Sequence, residues 1–206
     1  MSHLTGPFNK AKIRLKKFNK ILASLPKKPV SFCASSGVLK LPAQFHFDMV
    51  RVGSALFGLA KGFEPTITVN AKVLQVRNVK KGGVIGYSSG FIAPCNMKIA
   101  VLNVGYADGY SRAMSKTNTG GLIGWLRRRL NIGTGVSKAF IVIKGKKCPV
   151  IGLVSMNNIT VDVSKVSKVL AGEWAEIIGK NANILEFRSA FGYVPTELLP
   201  ELGHQK

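Results

Sequence analysis

The sequence predicts two structural classes in series: βα units of a parallel sheet over residues 1–62, then a mainly-β domain over residues 63–206. Three observations carry this. The first sixty residues set an amphipathic helical segment between short apolar runs, the rhythm of strands joined by crossovers. From Lys61-Gly62-Phe63-Glu64-Pro65 onward, β-branched runs recur between glycine turns, the texture of many short strands. And 206 residues with 46% hydrophobic and 19% charged content are enough to bury cores and too apolar for a disordered chain.

Each element follows in order. Phe8 to Leu25 places apolar side chains at Ile13, Leu15, Phe18, Ile21, Leu22 and Leu25 among lysines and arginine, an amphipathic helix that Pro26 helps end. Pro29 to Ala34 reads as a buried strand, Ser35-Ser36-Gly37 as a small-residue turn, and Val38 to Gln44 as a short helical segment despite Pro42. Met49 to Leu59 is a second apolar run, interrupted by Arg51 and Gly53. Strands are expected at 66–79, 84–87, 99–104, 139–143, 150–154, 159–163 and 174–178. Residues 115–137 are polar and glycine-rich around Ile123-Gly124-Trp125-Leu126, an expected insertion or long loop.

Charge bounds the partners. The net charge of +21 favours association with polyanions through long-range attraction and counterion release. Short clusters occur at Lys10 to Lys20, Arg127-Arg128-Arg129 and Lys144 to Lys147. Aromatics do not alternate with them, as they do in single-strand binding grooves, so solvated lysine-rich faces are expected and no specific nucleic acid. No apolar run reaches the ~18 residues of a membrane span. Residues 1–7 contain no apolar leader core, so a cytoplasmic location is expected. Cys33, Cys95 and Cys148 are odd in number and widely separated, and His3, His46 and His204 are scattered. Neither a disulfide framework nor a metal site is expected.

Few residues carry chemistry by type and position alone. Arg51 is a charge inside an apolar run; it is either buried and paired with a ligand or set on an edge facing water. Ser35-Ser36-Gly37, after a strand and before a helix, offers N–H groups and hydroxyls to a phosphate. Gly105-Tyr106-Ala107-Asp108-Gly109-Tyr110 is either a hairpin with Asp-Gly in its turn or a site built on tyrosine. A tyrosine that accepts protons near neutrality needs cationic neighbours to stabilise its phenolate.

Taken together, these segments resemble alanine racemase. Met1-Ser2-His3-Leu4 is similar to the family's Ser/Thr-His-Phe/Leu, and Phe32-Cys33-Ala34-Ser35-Ser36-Gly37 to its His-x-Ala-Asn-Ser-Ala. Asp48 to Gly58 is similar to Asp-x-Val-Arg-Pro-Gly-Ile-x-Leu-Tyr-Gly. Gly105 to Arg112 matches Gly-Tyr-Ala-Asp-Gly-Tyr-x-Arg, and Gly152 to Asn157 is similar to Gly-x-Val-Ser/Cys-Met-Asp. The resemblance implies an α/β architecture: the last units of a partial (β/α)8 barrel over residues 1–62, followed by the family's mainly-β C-terminal domain over residues 63–206. It also implies pyridoxal 5'-phosphate at the barrel mouth and interconversion of L-alanine and D-alanine for peptidoglycan precursors.

Roles follow residue by residue from the same resemblance. Tyr106 corresponds to the tyrosine that reaches the cofactor of the partner subunit and exchanges the α-proton on one face. Arg51 corresponds to the arginine on the pyridine nitrogen, and His3 to a histidine linked to that arginine and tyrosine. Ser36, Gly53 and Ser54 correspond to phosphate contacts, and Met156 to a backbone contact of the substrate carboxylate. The implied assembly is a homodimer with shared sites, with or without a separate N-terminal half to complete it.

Departures qualify the match. The family's Val-Lys-Ala-Asn-Ala-Tyr-Gly motif, which carries the cofactor lysine, is not among these residues, nor is the upstream arginine for the substrate carboxylate. Val52 stands for proline, Ser35 for asparagine, Asn157 for aspartate, and Thr196 for a tyrosine of the phosphate site. A remnant without activity and a basic polyanion-binding module are the alternative readings. The stretch from Gly121 to Arg129, with Trp125, is an insertion whose role stays open.

Overall fold

The computed structural model describes residues 2–3, 8–27, 29–87, 90–115 and 139–186. The chain divides into two units, residues 1–66 and 67–206. In the first unit, β1 (Ser2–His3), β2 (Phe32–Ala34) and β3 (Met49–Arg51) form a three-stranded parallel sheet in that order. Parallel neighbours need a crossover, and α1 (Phe8–Ala23) supplies the one between β1 and β2. Two 3-10 turns, Ser36–Lys40 and Ala43–Phe45, supply the next, where a single helical segment over 38–44 was expected. Pro42 divides them: it fixes its own φ and disfavours helix at Leu41.

The helix is amphipathic, but its buried stripe differs from the expected one. Ala11, Leu15 and Leu22 are buried and Phe18 is partly buried, a spacing of four, three and four. Ile13 and Ile21 lie off that stripe and are exposed. Ala11 and Leu15 pack with Val38 and Phe45, flanked by Leu41, Phe47 and Val50. Phe18 meets Phe47 edge to face at 5.0 Å between centroids, a favoured aromatic geometry. The helix stops at Ala23, and the Ser24 hydroxyl donates to the Ile21 carbonyl at 2.8 Å.

The second unit is a closed six-stranded antiparallel barrel. Its strands are β4 (Val69–Val79), β7 (Met97–Leu102), β8 (Phe140–Ile143), β9 (Lys146–Ile151), β10 (Ile159–Asp162) and β11 (Trp174–Ile178). Around the barrel they run β10-β7-β4-β11-β8-β9 and close back on β10. A two-stranded ribbon, β5 (Val84–Ile85) with β6 (Phe91–Ile92), lies outside that cycle. Ile85 and Phe91 of the ribbon pack with Ala93, Met97, Ile99 and Ile151. Closure removes exposed sheet edges.

β4 is the longest strand because its two partners lie along successive stretches of it. Val69 to Lys72 pair with β11, and Val73 to Val79 pair with β7. A register shift separates Val73 from Gln75. Before it Ala71 and Val73 are buried; after it Val76 and Val79 are partly buried, while Leu74 is exposed. The inserted residue places the next covered position three residues after Val73 instead of two, as a bulge in a strand of period two does. A second shift, between Glu176 and Ile178 in β11, explains how the adjacent Ile177 and Ile178 are both buried. The core is filled by Leu102, Ile141, Ile143, Val150, Val161, Ala175 and Ile177, each at most 1% exposed.

Several strand expectations shift at their ends. The first begins at Val69, and the expected 150–154 strand is the end of β9, which stops at Ile151. β6 had no sequence signal beyond two apolar residues between a glycine and a proline. The expected insertion, including Gly121, Trp125 and Arg127 to Arg129, lies outside the described residues.

Cys95 is exposed and Cys148 is buried in β9. Burial pushes the Cys148 thiol up to about 11, which keeps it protonated and unreactive near neutrality. Iodoacetamide at pH 8, mapped by mass spectrometry, is expected to modify Cys95 rapidly and Cys148 only after denaturant is added. Equal labelling of the two in buffer would contradict the barrel.

Candidate active site

The residues singled out from the sequence fall into two groups, one in each unit. In the first unit the parallel register aligns His3, Ala34 and Arg51 across the three strands, His3 opposite Ala34 and Ala34 opposite Arg51. The His3 side chain lies outside the described residues. Arg51 is exposed at the end of β3.

Ser36 is the centre of the first group. It is buried, and its Oγ accepts from the Ala55 N–H at 2.8 Å and the Ser54 hydroxyl at 2.9 Å. The Gly53 N–H lies at 3.4 Å from the same oxygen. Gly53 and Ser54 open a 3-10 turn, Ser54–Phe57, and the first amides of such a turn have no partner within it. With its acceptor sites taken by Ser54 and Ala55, the Ser36 hydroxyl keeps its own proton to donate. A Cβ placed on Gly53 would meet nothing within 4 Å, so the ground beside that amide is open. The Ser54 hydroxyl and the Gly53 amide are turned toward Ser36 Oγ, which leaves the Ser36 O–H and the Ser54 amide as the donors suited to phosphate oxygens.

The backbone entering this group is strained. Ser35 has φ 96 and ψ 141, a region that L-residues other than glycine rarely occupy. Its N–H donates to the Arg51 carbonyl at 3.3 Å, and its carbonyl accepts from Val38 N–H at 3.1 Å. These bonds hold the turn that carries Ser36. At the far end of the 3-10 turn, Gly58 takes φ 67, and a side chain there would strike the backbone of Glu64 and Pro65.

The second group stands at the mouth of the six-stranded barrel. β7 and β10 run side by side with Leu102 opposite Ile159, so the chain leaving β7 meets the chain entering β10. Gly105 lies against Ser155 and Met156, whose backbone would collide with any Cβ. The Tyr106 N–H donates to the Ser155 carbonyl at 3.0 Å, and Ala107 N–H to the Met156 carbonyl at 2.9 Å. The Asp108 carboxylate accepts from Gly105 N–H at 2.8 Å. Ser155 is fixed in turn, since its Oγ donates to the Asn158 carbonyl at 2.8 Å and accepts from Asn158 N–H at 3.1 Å.

The result is a 3-10 turn, Tyr106–Asp108, closed by Gly109 at φ 87. The hairpin reading of this segment is therefore overturned: β7 has already ended at Leu102, and the loop pairs with residues 155 and 156 instead of with a following strand. Tyr106 is 43% exposed and Met156 56%, while Tyr110 is 1% exposed. The Arg112 guanidinium lies 5.5 Å from the Tyr106 ring centroid. Burial raises the Tyr110 phenol far above the usual tyrosine range, so Tyr110 is a neutral core residue.

Sequence reading missed three contributors: Asp108 as the acceptor for Gly105, Ser155 as the carbonyl under Tyr106, and Ala55 as a donor to Ser36. Only Asp108 left a signal, a carboxylate three residues after the amide it accepts from, the spacing that caps a helical first turn. The segment 192–197 with Thr196 lies outside the described residues. These residues include no group of three or more His, Cys, Asp or Glu able to hold a metal, and none of their helices is long and apolar enough to cross a membrane.

Comparison with known proteins covers both units. A family model described as the alanine racemase C-terminal domain matches residues 66–206, and one described as the alanine racemase N-terminal domain matches residues 1–61. The chain is 31% identical to the biosynthetic alanine racemase of Agrobacterium fabrum, over 98% of this chain and 52% of that protein. It is 32% identical to the alanine racemase of Rickettsia canadensis, over 96% of this chain and 48% of the relative. Among solved structures, the alanine racemase of Bartonella henselae with covalently bound pyridoxal phosphate superposes with a TM-score of 0.80 at 28% identity, over 97% of this chain and 53% of that one. The alanine racemase of Acinetobacter baumannii gives 0.78 at 27% identity, over 100% and 55%. The chain spans about half the length of the curated relatives it matches.

Two substitutions test the local geometry. Gly105→Ala forces a Cβ into the Ser155–Met156 backbone and is expected to destabilise the second unit by about 1–3 kcal/mol, read as a lower urea midpoint; an unchanged midpoint would refute the close approach. Ser35→Gly relieves the strained φ and is expected to stabilise the first unit by up to about 1 kcal/mol. A Ser35→Gly protein that unfolds at lower urea would count against the strain.

Proposed function

The chain belongs to the alanine racemase family, and from that premise we propose that it is the C-terminal half of a pyridoxal-phosphate-dependent racemase interconverting L-alanine and D-alanine. The observation that carries the reading is the Tyr106 turn. A partly exposed phenol is held on backbone that is hydrogen-bonded to both Ser155 and Met156. That is the arrangement required of a group that must meet a reacting atom at a fixed distance.

Pyridoxal phosphate, when bound, supplies the electron sink that makes the α-hydrogen of an amino acid acidic. The chain's own residues supply positioning and proton transfer. Ser36, Gly53 and Ser54 would hold the phosphate, with the Ser36 O–H and the Ser54 amide as its donors. Arg51 would meet the pyridine nitrogen as a donor, since a guanidinium carries only donors, and His3, on the same row of the sheet, would support Arg51. Tyr106 would serve one face of the α-carbon, its phenolate oxygen accepting the proton in one direction of the reaction and its phenol delivering one in the other, while the cofactor lysine serves the opposite face. The Met156 carbonyl already accepts from Ala107, so the substrate carboxylate is met from the N–H side of that residue.

The proposal extends to the assembly. The two units are the end of the barrel, to about residue 62, and the C-terminal β domain from about residue 63. The protein works as a homodimer in which Tyr106 serves the partner's cofactor. The covalent cofactor lysine, the remaining barrel strands and the carboxylate-binding arginine belong to the half of the relatives' length that this chain does not span. The reaction takes place in the cytoplasm and feeds D-alanine to peptidoglycan precursors.

The deciding experiment is conversion of L-alanine to D-alanine with added pyridoxal phosphate. This chain is assayed alone and then co-expressed with the N-terminal half of a racemase. Activity is expected only in the mixture, and Tyr106→Phe is expected to lower it by about 100-fold or more, the scale of a lost general acid–base group. Silence in both preparations, with no cofactor retained, would refute the proposal.

A further inference from the structure

We propose that Arg112 is a positioning residue for Tyr106: its guanidinium, 5.5 Å from the ring centroid, fixes the phenol in the orientation used for proton transfer. The inference rests on the reading of Tyr106 given above and adds a residue to it.

The argument begins with what the backbone leaves free. Hydrogen bonds from Tyr106 and Ala107 to the Ser155 and Met156 carbonyls fix where the Cα sits. They do not fix χ1 or χ2, and the ring is 43% exposed, so packing does not select one rotamer. A second support is needed if the hydroxyl is to stay in one place.

Arg112 supplies it by the path of the chain. Gly109 turns the backbone at φ 87, and the Tyr110 N–H returns to the Gly105 carbonyl at 3.0 Å. Tyr110 is then buried at 1% exposure, and Arg112 opens a 3-10 turn, Arg112–Met114, whose Met114 is fully buried at 0%. Two buried side chains therefore bracket Arg112 and carry it back beside Tyr106. The Tyr110 hydroxyl has no hydrogen-bond partner among the described residues. Burying a phenol without a partner is costly, so this anchor is maintained against a polar penalty. Arg112 makes no ion pair among the described residues. A planar guanidinium over an aromatic face is a better orienting partner than a lysine ammonium, because both plane and charge are fixed.

Fluorine NMR of the full chain labelled with 3-fluorotyrosine tests the contact without cofactor or substrate. The sequence has four tyrosines, and Tyr106→Phe assigns the relevant signal. Arg112→Gln is expected to move the Tyr106 resonance toward that of a free exposed tyrosine while the Tyr110 resonance stays in place. Arg112→Lys is expected to retain part of the shift. In the racemase reconstituted with an N-terminal half, Arg112→Gln is expected to lower kcat about two- to five-fold with KM unchanged, the factor a surface cation–π contact supports, and Arg112→Lys to recover part of it.

A Tyr106 resonance indifferent to Arg112→Gln overturns the proposal, as does a shifted resonance with kcat unaltered. If Arg112→Gln also displaces the Tyr110 resonance, the turn itself has been lost, and Arg112→Lys decides by the same two readings. Full activity of Tyr106→Phe would instead refute the role of Tyr106, and the positioning role with it, while the NMR contact would persist; the two failures are distinguishable.

Discussion

The pairing of β7 with β10 is the constraint on which the tyrosine site depends. Because Leu102 stands opposite Ile159, the segments just beyond, 103–106 and 155–158, leave the sheet as neighbours. Gly105 permits their backbones to touch, and the bonds from Tyr106 and Ala107 then follow from proximity. The barrel in turn holds the β7–β10 pair rigid, since each strand is bonded on its other side to β4 or β9. The backbone under a partly exposed tyrosine on a loop is thereby given the precision of a strand end.

The first unit uses a different device for the same purpose. The turn proposed above for phosphate is organised by a hydroxyl, Ser36 Oγ, that is saturated as an acceptor by Ser54 and Ala55. Saturation sets the direction of the remaining O–H. The strained φ at Ser35 is part of that arrangement, since a relaxed backbone at residue 35 would carry Ser36 elsewhere. Strain at a binding turn is tolerated where surrounding bonds over-determine it, and the bonds from Ser35 to Arg51 and from Val38 to Ser35 do so here.

The chain was legible where pattern and geometry coincide. Glycine-separated β-branched runs announced the β domain because antiparallel strands need both branched side chains and tight turns. The Tyr106 and Arg51 motifs could be matched because their residue types are constrained at adjacent positions. The helix stripe was misread because Ile13 and Ile21 are as apolar as Leu15 and Leu22; only packing against Val38 and Phe45 chooses between the faces. The turn at Tyr106 was ambiguous because Asp-Gly serves a hairpin equally well, and the partner that decides, residues 155 and 156, lies about fifty positions away in sequence. No local signal reports which carbonyl a loop amide will find. Ser155 was therefore invisible as a support until β10 was placed beside β7.

The two-partner strand β4 also fixes an order of events during synthesis. Its second half can pair with β7 as soon as Leu102 is available, but its first half pairs with residues Trp174 to Ile178. Val69 therefore emerges from the ribosome long before its partner exists. In the interval the N-terminal half of β4 is an open edge, a template for other chains. The exposed residues near this edge include Asn70, Lys72 and Leu74, and a charged side chain on a waiting strand discourages unwanted pairing. Closing so long a loop makes barrel completion a late and non-local step, so a ribosome that stops before residue 174 leaves both β4 and β8 without a neighbour on one side.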